Sequence, residues 1–406
     1  MTERARLIAI YLPQFHPIPE NDAWWGRGFT EWANVTKARP FFKGHYQPKL
    51  PADLGYYDLR VPEVREAQAE MARNAGIEGF CYYHYWFGGH QLLEMPFQEV
   101  VRSGKPDFPF CLCWANESWS GMWHGAPDRV LIQQEYPGPD DHLAHFRALE
   151  SAFHDRRYMQ VDGRPIFCVY RPYEFPGVSE FISQWQDLAV GSGLAGIHFV
   201  AHLTPEKADW DFHSHGFSSS LVVSTHRVYV ISPRTMLVQN RRYVQAADAP
   251  YRNSLAGKQI AADVVSHWLW RRARLQAGKF SGVRLYSHAL PYLLDNCITE
   301  PDVYPCVTPN WDNTARSGLR GRLLHHSIPE LFRIHLKDAL RLIEGRRQEQ
   351  RIIFIKSWNE WAEGNYLEPD QEFGHDYLKV IREEIALVAH SIAERAGHLS
   401  CPALSD

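Results

Sequence analysis

No excess of either charge runs through this chain of 406 residues: 43 Lys and Arg stand against 47 Asp and Glu, a formal net charge of −4. Nucleic-acid binding rests on clustered cations, so composition gives no reason to expect it, and RRYVQ and GRRQEQR read as solvated surface. No window holds the roughly 18 consecutive apolar residues that a membrane-spanning helix needs. The opening MTERARLIAIYLPQFH lacks the layout of a secretory signal, and a cytoplasmic location is the expectation. Seven cysteines without framework spacing read as buried free thiols in a reducing compartment. Cys111 and Cys113 would share one face of a strand, but no second Cys or His pair follows at zinc spacing, and no metal or other cofactor is expected. Neither GxGxxG nor GxxxxGK[ST] follows the first strand-like run, which removes the main sign of a nucleotide-binding sheet.

What the chain does have is aromatic side chains: 14 Trp, 19 Tyr and 21 Phe, many in polar, Gly-rich settings rather than core-like runs. Sugar rings stack their C–H faces on aromatic planes while their hydroxyls seek Asp, Asn, Glu and His. The mixture of apolar walls and a few polar groups is that of a ligand pocket.

Eight near-continuous apolar runs read as parallel strands covered on both faces: residues 7–12, 79–86, 108–116, 165–171, 196–202, 218–224, 304–311 and 352–358. Helical patterns lie between them. VPEVREAQAEMARNAG has Pro62 in its first turn and Gly76 at its end, and DDHLAHFRALESAFHD carries Leu143, Phe146, Leu149 and Phe153 at helical spacing. Strand and helix alternating about eight times predict a (β/α)8 TIM barrel with long loop insertions. The expected layout is one domain over 1–395, with an insertion at about 225–303, a long first loop over 13–57 and a tail at 396–406.

In such barrels the active site forms at the C-terminal strand ends. Those ends pair Trp or Tyr with amides, carboxylates and His again and again. The candidates for substrate contact are Tyr11 and Gln14 after the first strand and His84 on the second. Trp114, Asn116 and Glu117 follow the third, and Tyr170 ends the fourth. Trp311 and Asp312 follow the seventh, with Asn313 beside them; Trp358 and Asn359 follow the eighth, and His124 is a further contact candidate. The sharpest element is SWNEWAEG, where Glu360 and Glu363 stand three apart directly after the last strand. On a helical turn such residues share a face. Glycoside hydrolysis uses a pair of carboxyls across one bond, which here should face one cleft roughly 5 to 9 Å apart.

Four segments carry a resemblance: IAIYLPQFHPIPENDAWWGRGFTEW, FCLCWANESW, PNWDNTAR and SWNEWAEGNYLEP. Together they resemble the WbsX-type proteins of bacterial surface-polysaccharide gene clusters along almost the whole chain. The NEWxEG segment also resembles glycoside hydrolase family 99. That resemblance implies a (β/α)8 fold and metal-free, retaining, endo-acting cleavage of α-mannosidic linkages. It implies Glu360 as a base on the sugar's own 2-hydroxyl and Glu363 as general acid/base; a covalent glycosyl-enzyme is the alternative route. Ala362 and Asn365-Tyr366-Leu367 depart from the hydrolases, as do the long first loop and the insertion. The leading expectation is therefore an enzyme that cleaves or transglycosylates an α-linked surface polysaccharide or its precursor, acting beside a membrane-bound assembly. A glycosyltransferase of O-antigen synthesis and a non-catalytic sugar-binding protein are the competing classes.

Overall fold

The computed structural model describes residues 4–121, 126–231, 282–294 and 300–399. Eight parallel strands form the centre: β1 (Arg6–Tyr11), β2 (Gly79–Phe87), β3 (Phe110–Trp114), β4 (Arg164–Tyr170), β5 (His198–Leu203), β6 (Ser219–Val222), β7 and β8 (Ile352–Ile355). β7 comes in two pieces, Val303–Tyr304 and Cys306–Val307. The first pairs with β6 and the second with β8. Pro305 separates them because it has no N–H for the ladder, yet its carbonyl still accepts the Phe354 N–H at 2.9 Å. β8 pairs in turn with β1, from Arg6 opposite Ile352 to Ala9 opposite Ile355. The sheet thus closes on itself, and the expected (β/α)8 barrel is the fold.

Local sequence explains the elements. All six residues of β1 are buried, as are all four of β8. The helix Pro62–Ala75 starts on proline and stops at Gly76, whose φ of 91° is left-handed. The helix Pro139–Phe153 has Asp140 and Asp141 in its first turn, favourable to its dipole, and buries Phe146, Leu149 and Phe153. Between the two layers, one continuous core runs through the strands and the inner helix faces.

Some expected boundaries shift. β3 is shorter than 108–116 and β8 ends at Ile355, because the residues after each turn away to build the mouth. Most of the expected insertion lies outside the described residues, as do His124 and residues 400–406. Of the insertion, the strand Val283–Leu285 pairs in parallel with Leu323–His325, and the helix Tyr286–Leu293 packs under Trp311 in a second core cluster. The last helix runs Asp376–Leu399, through the start of the expected tail. Cys81, Cys111, Cys113, Cys168 and Cys306 are free and buried, as expected of structural thiols. Among the described residues, no helix is long and apolar enough to cross a membrane.

Candidate active site

The segment after β8 doubles back on itself. Asn359–Glu360 pairs antiparallel with Asn365–Tyr366, and a short turn over Trp361–Glu363 joins them. Gly364 ends that turn at φ 51°, and a Cβ there would lie 2.7 Å from that of Asp312. Both the backbone angle and the lack of room require glycine. The Asp312 N–H donates to the Glu363 carbonyl at 2.7 Å, tying the loop after β7 to the turn. Asn359 spends its amide on the backbone of Leu12, accepting at 2.7 Å and donating at 3.0 Å, which fastens the turn to the end of β1.

Held this way, Glu360 and Glu363 are both buried, at 4% and 8% exposure. Glu363 stands near enough to Glu360 to raise its pKa. Each also has a cation. Lys356, the first residue beyond β8, donates to both oxygens of Glu360 at 3.1 and 3.2 Å and to the Tyr83 hydroxyl at 3.2 Å. Arg316 donates to Oε1 of Glu363 at 2.7 Å and pairs with Glu31 of the first loop at 3.0 Å. Burial pushes the Glu360 carboxyl up to about 7; Lys356 opposes that rise and Glu363 adds to it. Two cations thus face three carboxyls.

The strand parity decides which other residues reach this site, because successive side chains on a strand point to opposite faces. On β2, Tyr83 meets Lys356, and Tyr85 feels the charges of Glu360 and Arg316. His84 between them faces the helices, where its Nε2 lies 2.8 Å from that of His145, and burial pulls its pKa down to about 3. Trp114 likewise turns outward: its indole N–H donates to the Trp86 carbonyl and its ring packs on Phe175 and Phe181. The Tyr11 hydroxyl donates to Gln68 of the helix Pro62–Ala75 at 2.7 Å. Trp358 is fully buried against Glu368. These four expected substrate contacts are packing residues.

Others are committed to the protein itself. Asn116 exchanges hydrogen bonds with Tyr136. Asp312 accepts from Gln47 and Thr314 and is bonded to His45 at 2.8 Å; His45 foremost holds its carboxyl below the usual range against the effect of burial. Asn313 accepts the Arg322 N–H. The Gln14 carbonyl accepts the Glu31 N–H at 3.1 Å, so Gln14 acts by anchoring the residue that meets Arg316.

Three expected contacts do gather at the mouth. Tyr170 feels the charges of Glu117 and Glu363. Glu117 pairs with Arg171 at 3.2 Å while 37% of its side chain stays exposed, and burial of the rest raises its pKa. Trp311 offers its ring to the Lys356 ammonium at 5.9 Å. Reading by motif missed Tyr83, Tyr85, Glu31, Arg316, Lys356 and Glu368. Parity within FCYYHYWF would have found the tyrosines, and a lysine ending the apolar run IIFIK marks Lys356. Glu368 is buried and accepts from Trp358, Trp361, Tyr57 and Gln68.

A separate cavity of about 640 Å³ lies outside the barrel between the helices Met95–Ser103 and Pro139–Phe153. None of the mouth carboxylates lines it, so we assign the chemistry to the mouth.

Known proteins share this organisation. The WxcX proteins of two strains of Xanthomonas campestris pv. campestris, described as uncharacterized, are 34% identical over 401 residues, which is 98% of this chain. The chain spans about half (52%) of their length. A solved structure described as a glycoside hydrolase-like protein superposes with a TM-score of 0.52 at 12% identity, over 94% of both chains, a likeness of fold. The GH99 endo-α-mannosidase from Bacteroides thetaiotaomicron, solved with Bis-Tris-propane, gives a TM-score of 0.49 at 15% identity, over 97% of this chain and 98% of its own. Residues 7–381, which hold nearly all of the barrel and every residue of the mouth, match the family described as Glycosyltransferase WbsX. The chain belongs to the WbsX family.

Proposed function

We propose that this chain cleaves, or transfers between acceptors, an α-linked glycosidic bond in a surface polysaccharide or its precursor, with Glu360 and Glu363 as the reacting carboxyls. The observation that carries the reading is the buried pair of neighbouring glutamates at the barrel mouth, each member held by its own cation. With Glu360 pushed up to about 7, the pair offers an acid and a base together near neutral pH. Arg316 donates to Oε1 of Glu363, which orients that carboxyl for proton transfer to the departing oxygen. A Glu360 carboxylate suits a base that takes the proton of the sugar's 2-hydroxyl as that oxygen attacks the anomeric carbon, or a nucleophile that attacks the anomeric carbon itself; in either route the departing oxygen takes its proton from Glu363. The substrate's glycosidic oxygen and ring would enter between the two carboxyls. Tyr170 and Trp311 supply aromatic faces for sugar rings, and mannose is the first candidate by the resemblance of the NEWxEG segment.

The second reading is transfer from an activated donor, favoured by the family's own description. Among the described residues, the cations of the mouth, Lys356, Arg316 and Arg171, are each paired with carboxylates. That arrangement does not present a charge to a nucleotide diphosphate and so supports a glycan or lipid-linked donor over a nucleotide sugar. The chain is proposed to work in the cytoplasm beside a membrane-bound polysaccharide assembly.

The test compares wild type with Glu363→Gln on a panel of α-linked oligosaccharides. Cleavage or transglycosylation by wild type, lost in the variant while sugar binding persists, is the expected result. Transfer from a nucleotide sugar without any glycan cleavage would overturn the reading. Binding without turnover of either kind would make the chain a sugar-binding protein.

A further inference from the structure

Lys356 is an unusual residue to find where it stands. It extends a strand whose other residues, Ile352–Ile355, are all apolar and buried, and it is itself only 9% exposed. Burying an ammonium is costly unless it is paired and hydrogen-bonded. Its three donors have three acceptors: both oxygens of Glu360 and the hydroxyl of Tyr83. Its charge also lies 5.6 Å from the Tyr83 ring centroid and 5.9 Å from that of Trp311. The contact with Glu360 spans four residues across the bend after β8, so it fixes where the carboxyl points as well as its charge.

We propose that Lys356 is a positioning residue for the reaction: by gripping both oxygens of Glu360 it aims that carboxyl and eases the loss of its proton, and so makes Glu360, and not Glu363, the base of the pair. The inference rests on the proposed role of the glutamates and deepens it. Other neighbours do not take over this task. His202 on β5 is kept neutral by burial, and burial likewise raises the pKa values of Tyr83, Tyr85 and Cys306 so that they hold their protons. Among the described residues, the charged groups left near Glu360 are Glu363 and Arg316, with Glu117 further out toward Lys356. Arg316 is held by Glu363 and Glu31, so Lys356 is the cation that contacts Glu360 directly.

Removing the ammonium leaves Glu360 buried beside a second carboxyl, and it then takes up a proton at higher pH. In Lys356→Met, the acid limb of the kcat profile should move up by at least one pH unit and kcat at pH 7 should fall at least tenfold, with KM little changed. Lys356→Gln, which keeps a donor without the charge, should behave like Lys356→Met, and Lys356→Arg should restore most of the profile. A second readout needs no turnover: titration of glutamate carboxyl 13C resonances, with Glu360 identified through Glu360→Gln. Its transition near pH 7 should move upward in the Met and Gln variants and return with Arg. An unmoved transition, or a Gln variant indistinguishable from wild type, overturns the proposal even if the chain proves a hydrolase. A moved transition in a protein that turns over no glycan upholds the role of Lys356 and defeats the hydrolase reading instead.

Discussion

The indole N–H of Trp361 donates to the carboxyl of Glu368 at 2.6 Å, and this bond fixes the turn on which both candidate catalytic glutamates ride. Trp358, Tyr57 and Gln68 donate to the same carboxyl at 3.0, 2.8 and 2.6 Å, so one buried side chain gathers β8, the first loop and the helix Pro62–Ala75. Glu368→Gln turns an NH2 toward two of those donors. Leaving buried donors unmatched costs about 1–3 kcal/mol each. The expected result is a loss of about 2–4 kcal/mol in denaturant unfolding. A midpoint equal to wild type would mean that the turn is held by other contacts.

The pair itself predicts a second outcome. Glu360→Gln and Glu363→Gln keep shape and hydrogen-bonding capacity but cannot give up or take on a proton. Each should lower kcat on a cleaved α-linked glycan by about 10²-fold or more, the usual range for loss of acid–base catalysis, while the dissociation constant measured by calorimetry stays within a few-fold of wild type. Loss of binding in step with loss of rate would make the glutamates substrate anchors.

The barrel was legible because parallel strands buried on both faces write themselves as unbroken apolar runs, and because each helix carries its own start and stop, as Pro62 and Gly76 show. The turn carrying Glu360 and Glu363 was legible from its place after the last strand. The substrate contacts were less so. A motif names neighbours in sequence without saying which face each takes, so His84 and Trp114 were read into the mouth although strand parity sends them to the helices. Charge pairing over long separations, such as Arg316 with Glu31, leaves no local trace at all. Asp312 has the chemistry of a sugar ligand, but its carboxyl is already bonded to Gln47 and Thr314.

Parity gives a sharp contrast between adjacent residues of β2. Removing the Tyr83 hydroxyl in Tyr83→Phe takes a partner from Lys356 and should lower kcat about tenfold while costing only about 1 kcal/mol of stability, since Glu360 still holds the ammonium. His84→Ala breaks the contact with His145 and leaves a buried void. It should destabilise the fold by about 2–3 kcal/mol, the range for losing a buried polar contact with its packing, and leave the kinetics of the folded enzyme intact. The opposite assignment, with His84 lowering kcat and Tyr83 lowering stability, would place the mouth on the wrong face of the strand.

Stability should peak near pH 6 to 6.5, because two sets of buried groups pull in opposite directions. Burial holds His84, His198 and His335 down to about 3, below the 6.5 of an unfolded histidine. Between those values the unfolded chain binds protons that the folded chain refuses, so this contribution is full above 6.5 and is lost as pH falls toward 3. Burial pushes Glu360 and Glu368 up to about 7 from 4.5. Between 4.5 and 7 the folded chain keeps protons that the unfolded chain has released, so that contribution is full below 4.5 and is lost as pH rises through 7. Near pH 5.5 three histidines oppose two glutamates, and stability rises with pH by about 1.4 kcal/mol per unit for each net proton. His16, His145 and His202 are lowered as well and steepen the rise, while Glu117 and Glu372 are raised and blunt it. Above 6.5 the histidines have nothing left to lose and the glutamates bend the curve down, opposed by the Cys113 thiol, whose lowered pKa favours the fold as pH rises. Urea midpoints from pH 5 to 8 should trace this dome, and Glu360→Gln should flatten its alkaline side. A midpoint that climbs steadily through pH 8 would show that Glu360 and Glu368 are ionised in the folded chain well below 7.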